Sequence, residues 1–219
     1  MKIKICGVTT PDDAAMVAAA GVDFLGLNFW PRSRRYVDAD RAREMAAAAR
    51  AANPALAIVG LFVDATVDIV ARVHAAVRLD RVQLHGDESP DDCRAIAAQV
   101  GLPLWKAIAV RAPDDVRTLD AWPVEAILLD APSAGRGGSG TTFDWALAAN
   151  AVASHPTRSI VLAGGLGPDN VAAAIAQVRP WAVDVASGVE RAPGVKDPAR
   201  VRAFVDAARA APAPTRARS

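Results

Sequence analysis

Short apolar runs alternate with longer Ala-rich runs eight times along the chain, and the two kinds of run have different periods. The short runs lie near 2–6, 22–29, 57–63, 80–85, 104–109, 125–130, 158–163 and 182–187. They are rich in Val, Ile and Leu, which predicts buried strands. The longer runs, near 11–20, 38–52, 66–77, 89–100, 112–120, 144–153, 168–177 and 198–209, repeat Ala, Val and Leu at helical spacing. Thr10-Pro11-Asp12, Ser89-Pro90-Asp91, Ala112-Pro113-Asp114 and Gly167-Pro168-Asp169 each put proline and an acid in a first turn, where an N–H is not needed and the helix dipole favours negative charge. Strict strand–helix alternation predicts a parallel α/β sheet. Eight such units in 219 residues predict a single (β/α)8 TIM barrel.

The period of two along each strand decides which side chains enter that barrel. Ile3 and Ile5 alternate with Lys2, Lys4 and Cys6; because the outer face of a barrel packs on helices, the isoleucines point out and Lys4 and Cys6 point in. The same reasoning turns Gln83, His85, Lys106, Asp130 and Asp184 inward. Cys6, His85 and Asp130 close their strands, and Gly164-Gly165 closes another, so all of these collect on the face where barrels of this kind hold their active sites. Buried polar groups are unfavourable unless paired, and such a cluster marks either a working site or an ion-pair network. Asp184 is open to both readings, as a site residue or as a partner of Lys4. Lys4 sits one pleat from Cys6, about 7 Å at about 3.3 Å rise per residue. Its ammonium is therefore expected to lower the thiol pKa below about 8.5, with Asp184 acting against it.

Composition narrows the function classes. The chain carries 25 basic and 24 acidic side chains, so no global field recruits nucleic acid or an anionic membrane, and any anion must be bound locally. Aromatic residues make up 5% of the chain, so the expected core is Ala, Val, Leu and Ile. Cys6 and Cys93 have neither disulfide nor zinc spacing, and no metal site is expected; Cys93, in a helical run, reads as a small buried hydrophobe. A strand begins within two residues of the start and no apolar run approaches the roughly 20 residues that span a bilayer, so a cytoplasmic protein without a membrane partner is expected. His74 and His155 read as surface residues. The barrel is expected to fill residues 1–209 as one catalytic domain, followed by a disordered tail at 210–219. A monomer is expected, with a homodimer as the alternative.

Two glycine loops suggest the ligand. Gly164-Gly165-Leu166 follows the seventh strand and Ser187-Gly188-Val189 the eighth, neighbouring loops in a barrel whose backbone N–H groups can approach a phosphate. No Gly-x-Gly-x-x-Gly follows the first strand, which disfavours a dinucleotide site. The Gly/Ser-rich segment 131–142 follows Asp130 and reads as a lid over the site or as an ordinary loop.

Several ordered segments resemble phosphoribosylanthranilate isomerases. These are Lys4-Ile5-Cys6-Gly7, Asn28-Phe29-Trp30 with Ser33-Arg34-Arg35-Tyr36, Gly60-Leu61-Phe62-Val63, Val82-Gln83-Leu84-His85-Gly86-Asp87-Glu88, and Gly138-Ser139-Gly140 leading into Phe143-Asp144-Trp145. Leu162-Ala163-Gly164-Gly165-Leu166 with Pro168, Asn170 and Val171 follows, and then Asp184-Val185-Ala186-Ser187-Gly188-Val189-Glu190 with Gly194, Lys196 and Asp197. The likeness runs from residue 4 to residue 197; Ala186 stands where the family often has Ser and Arg34 where it often has Pro. The resemblance implies an intramolecular oxidoreductase of tryptophan biosynthesis, turning phosphoribosylanthranilate into 1-(2-carboxyphenylamino)-1-deoxyribulose 5-phosphate by an Amadori rearrangement, with no cofactor. It implies Cys6 as general base, Asp130 as general acid, Arg35 on the anthranilate carboxylate, and substrate contacts from His85 and Asp184. Gly164, Gly165, Ser187 and Gly188 would hold the phosphate. Three alternatives differ in chemistry: the histidine-pathway isomerase, indole-glycerol-phosphate synthase with Lys106 as its lysine, and a non-catalytic phosphometabolite-binding barrel.

Overall fold

The computed structural model describes residues 1–131 and 144–211. Eight parallel strands close into a barrel in chain order: β1 (Lys2–Cys6), β2 (Phe24–Asn28), β3 (Ala57–Phe62), β4 (Arg81–Leu84), β5 (Leu104–Ala109), β6 (Ala126–Asp130), β7 (Ser159–Leu162) and β8 (Ala182–Val185). The barrel closes where β1 pairs with β8, with Lys4 opposite Asp184 and Ile5 opposite Val185. Around it run α1 (Pro11–Ala19), α2 (Ala39–Ala52), α3 (Val67–Val77), α4 (Pro90–Val100), α5 (Trp145–Ser154), α6 (Val171–Val178) and α7 (Pro198–Ala210). Thr10, Asp38, Thr66 and Ser89 cap the first four helices by accepting from a first-turn N–H, and proline opens α1, α4 and α7. None of these helices is long and apolar enough to cross a membrane. α7 runs to Ala210, the first residue of the expected tail; residues 212–219 of that tail and residues 132–142 of the expected lid lie outside the described residues.

The strand period sorts the core into two layers. Ile3, Ile5, Leu25, Leu27, Leu84, Ile127, Leu129 and Val183 face the helices. Phe24, Val59, Trp105, Ala107, Ala126, Leu128, Val161, Ala163 and Ala182 fill the interior. That inner layer is more aromatic than the composition suggests: Trp105 meets Phe24 edge-on at 4.9 Å and Trp181 at 5.8 Å. With Trp105 and Ala107 inside, Lys106 points outward, against the sequence expectation. Both faces of Leu-Trp-Lys-Ala-Ile-Ala are apolar enough to be buried, so the lysine alone does not reveal the parity. Its ammonium reaches Glu88 at 2.8 Å and the Gly86 carbonyl at 2.6 Å, anchoring the loop after β4. This removes the one inward lysine that the synthase alternative requires.

The expected helix over 112–120 is two 3-10 turns, Pro113–Val116 and Leu119–Ala121. Its hydrogen-bonding groups are already committed. The Asp115 carboxylate accepts from the N–H groups of Arg111 and Ala112, the Val116 carbonyl pairs with His155 Nε2 at 2.9 Å, and Arg158 takes the carbonyls of Asp120, Trp122 and Val124. His155 is therefore buried, its Nδ1 2.8 Å from Asp120, and is not the surface residue its sequence setting suggests. His74 is half-buried. Helix α6 starts three residues later than expected because Asn170 ties the preceding loop, accepting from the Gly167 N–H and donating to the Gly165 carbonyl.

Candidate active site

Cys6, His85, Asp130 and Asp184 all meet at the C-terminal mouth of the barrel, as strand parity requires. Cys6 and Asp130 are 6% and 7% exposed, closing strands three steps apart around the ring. Opposite Cys6 on β2 stands Gly26, and a Cβ there would lie 2.7 Å from Sγ, so the thiol occupies space that only glycine leaves.

Asp130 is held from two sides. One oxygen, Oδ1, accepts the Ala131 N–H at 2.8 Å; the other, Oδ2, faces His85 Nε2 at 3.4 Å. Gln83, one pleat below His85, places its amide nitrogen 3.1 Å from Nδ1 and so orients the imidazole. Gly164, at φ +80, passes so close that a Cβ would sit 2.6 Å from the Ala131 nitrogen and 3.0 Å from Oδ1. The β7 turn and the Asp130 carboxylate therefore fit together only with glycine.

Asp184 is the partner of Lys4 that one of its two readings expects. Its Oδ1 accepts from the fully buried Lys4 ammonium at 2.9 Å while its carboxylate borders the mouth. Burial works to lower the Lys4 pKa, yet the charges of Asp184 and Cys6 outweigh it and the net shift is upward. For Cys6 the balance reverses the sequence expectation. Burial pushes the thiol up, Lys4 opposes it, Asp184 adds to the rise, and the result is a raised pKa. Lys4 does not prevail because burial of the thiol outweighs its charge, with Asp184 adding to the burial effect. Alkylation of Cys6 by iodoacetamide, measured across pH in a Cys93→Ser background, is thus expected to have its midpoint above that of a free thiol, about 8.5. Lys4→Met should move the midpoint further up; an unchanged or lower value would show that Lys4 is only a structural partner of Asp184.

Arg35 lies over Gly7, whose φ of +72 and missing side chain make room for it. Its Nε and Nη2 grip both oxygens of Glu190 at 2.8 and 2.7 Å, a fork-to-fork ion pair. Among the described residues Nη1 has no hydrogen-bond partner. Glu190 begins a short hairpin, β9 (Glu190–Ala192) and β10 (Val195–Lys196), which folds back over the mouth after β8. Its Lys196 is 1% exposed and donates to Glu190 Oε1 and to the carbonyls of Cys6 and Ala186. Glu190 and Lys196 are site neighbours that strand parity does not identify. Pro193-Gly194, with Gly194 at φ +83, was the available signal for the turn that brings them back.

The two glycine loops pack against each other. Gly164 and Gly165 both have positive φ, and Gly188, in the 3-10 turn Ser187–Val189, approaches the other loop so closely that a Cβ would run into the Leu166 carbonyl. Among the described residues no group of three or more His, Cys, Asp or Glu side chains is placed to hold a metal ion. What the mouth offers among the described residues is a buried thiol, a buried carboxylate, a guanidinium with one edge unpaired, and a glycine-lined backbone.

The family model for N-(5'phosphoribosyl)anthranilate (PRA) isomerase matches residues 3–207. The chain is similar to the N-(5'-phosphoribosyl)anthranilate isomerase of Ralstonia nicotianae, 48% identical over 220 residues that cover 97% of this chain and 94% of that one. Its structure is similar to phosphoribosyl anthranilate isomerase from Thermotoga maritima, with a TM-score of 0.85 at 39% identity over 95% of this chain and 98% of that one. A phosphoribosyl anthranilate isomerase in complex with reduced 1-(o-carboxyphenylamino)-1-deoxyribulose 5-phosphate gives 0.82 at 36% identity, covering 95% and 98%.

Proposed function

Because this chain belongs to the phosphoribosylanthranilate isomerases of tryptophan biosynthesis, we propose that its reaction runs between Cys6 as general base and Asp130 as general acid. The reaction is an internal redox change from aldose to ketose. Asp130 protonates the furanose ring oxygen, the ring opens to a Schiff base, the Cys6 thiolate removes the C2 proton, and the resulting enolamine takes up a proton at C1 to give the ketone. Atoms balance without a cofactor. The observation that carries this reading is the pair of buried, inward groups closing strands three steps apart around the ring.

The neighbouring groups suit the steps. Ala131 occupies Oδ1 of Asp130, so the transferable proton belongs on Oδ2, beside His85, which serves to orient it. A thiol with a raised pKa is less often ionised at neutral pH but is a stronger base when it is, and the positive Schiff base acidifies the C2 proton it must take. Glu190 fixes one edge of Arg35 and leaves the Nη1 side for the anthranilate carboxylate. In this reading Asp184 takes a ribose hydroxyl, while Gly164, Gly165, Ser187 and Gly188 offer backbone N–H groups to the phosphate. We also read the enzyme as a monomer, since the large exposed apolar side chains among the described residues are Tyr36 and Ile69, too little for a stable interface; sedimentation distinguishes this from a homodimer.

The test is inactivation. In a Cys93→Ser background, carboxamidomethylation of Cys6 should stop the loss of anthranilate-type fluorescence from freshly generated phosphoribosylanthranilate, and bound product should protect against it. Alkylated enzyme that turns over at the unmodified rate would remove the thiol from the mechanism.

A further inference from the structure

Lys196 is the buried charge at the mouth that the reaction scheme leaves without a task. All three of its ammonium protons are used, on the Cys6 carbonyl at 2.6 Å, Glu190 Oε1 at 2.8 Å and the Ala186 carbonyl at 3.0 Å. The two carbonyls belong to the residues just past the last registered pair of β1 and β8, Ile5 opposite Val185, where the ladder stops. Lys196 therefore bridges the two strands at the point where Cys6 leaves them. We propose that Lys196 is a positioning residue for the proton-abstracting thiol, holding the Cys6 backbone against β8 and setting the charge beside Sγ.

Holding two carbonyls does not by itself require an ammonium; a buried charge is an unfavourable donor unless its charge is used. The groups around Cys6 show where the charge acts. Lys4 comes from its own strand and Asp184 from β8; they pair with each other and act on the thiol in opposite directions, Lys4 the more strongly. β2 presents Gly26, without charge, and the loop after β2 presents Arg35, which is already paired with Glu190. The hairpin adds Lys196, whose first counter-charge is Glu190 at 2.8 Å and whose charge also favours the thiolate, less strongly than that of Lys4. Burial lowers the pKa of Lys196 itself, with Glu190 working to restore it. Glu190 is thus shared between the guanidinium read as the carboxylate-binding group and the ammonium that holds the thiol. One carboxylate thus links Arg35 to the residue that holds the Cys6 backbone.

The hairpin does not depend on the ammonium for its placement. The Lys196 N–H donates to Asp13 at 3.0 Å, the Thr9 hydroxyl donates to the Gly194 carbonyl at 2.7 Å, and the Asp197 N–H donates to the Val189 carbonyl at 2.9 Å. Lys196→Met keeps all three bonds and most of the side-chain volume.

The proposal rests on the reading of Cys6 as base, so its test includes a readout independent of turnover. Lys196→Met is expected to lower kcat by about 10- to 100-fold, the cost of a small misplacement of a reacting group, with KM little changed. The midpoint of Cys6 alkylation, measured in the Cys93→Ser background, should move up. Lys196→Arg, retaining charge and donors, should recover most of both, whereas Lys196→Gln, with donors but no charge, should recover neither the midpoint nor full kcat. A wild-type alkylation profile in either folded neutral variant overturns the proposal, as does a rise in KM at constant kcat. Failure of both neutral variants to fold assigns Lys196 a structural role and also overturns it. If the alkylation midpoint moves but carboxamidomethylated enzyme still turns over, it is the base assignment that fails, not the role of Lys196 beside the thiol.

Discussion

Asparagine in place of Asp130 is expected to lower kcat by on the order of 10²–10⁴-fold, the usual contribution of a general acid, with little change in melting temperature or product affinity. The substitution is close to isosteric, and the pocket holds shape tightly. Oδ1 of asparagine can still accept the Ala131 N–H, and the Gly164 backbone that passes beside it is unchanged. What changes is Oδ2, where a carboxylic acid gives up a proton and an amide does not. Stopped-flow fluorescence at neutral pH with a thermal melt separates the two effects. A variant with near wild-type kcat would take Asp130 out of the reaction and leave it as an anchor for the β6 end.

The second large effect is expected at Gly188. Alanine there would drive its Cβ into the Leu166 carbonyl, with Leu166 C and the Gly167 Cα about as close as atoms can come, at 3.0 and 3.1 Å. The contacts are backbone, so the two glycine loops must part. Charge-assisted hydrogen bonds contribute about 1.5–3 kcal/mol each, so the loss of one backbone donor to the phosphate should raise KM by about 10- to 100-fold. Overpacking adds about 1–3 kcal/mol of destabilisation. Steady-state kinetics with inorganic phosphate as competitor reads the binding effect directly. If phosphate competes equally with wild type and Gly188→Ala while KM is unchanged, the anion does not sit between these loops.

The barrel and the inward groups on β1, β6 and β8 are legible in the sequence because each of those strands has one face that only helices can cover. Ile3 and Ile5 leave no choice for Cys6, nor do Ile127 and Leu129 for Asp130. The pattern loses its meaning on β5, where Trp105 and Ala107 are as apolar as Leu104 and Ile108 and a lysine with a long stem is satisfied on the outer side. It also misleads at 112–120, where Ala-Pro-Asp-Asp opens as a helix would but His155 and Arg158, distant in sequence, take the carbonyls a helix would use. The raised thiol pKa was not legible either, since the alternation shows which charges stand near Cys6 and not how completely the site is closed to water. Glu190 and Lys196 lie beyond the last strand, where a period of two has nothing further to say.

The seam between β1 and β8 joins residues almost the whole chain apart: the Lys4–Asp184 pair spans 180 positions and the Lys196–Cys6 bond 190. Contacts of such sequence separation carry the largest loop-closure cost and belong to the slow part of folding. A nascent chain holding β1 through β7 already contains Cys6, Asp130 and Arg35, yet it lacks both the partner of Lys4 and the clamp on the Cys6 carbonyl. The end of β1 is thus completed from the far end of the chain, and it gains these two contacts only once β8 and the hairpin after it have docked.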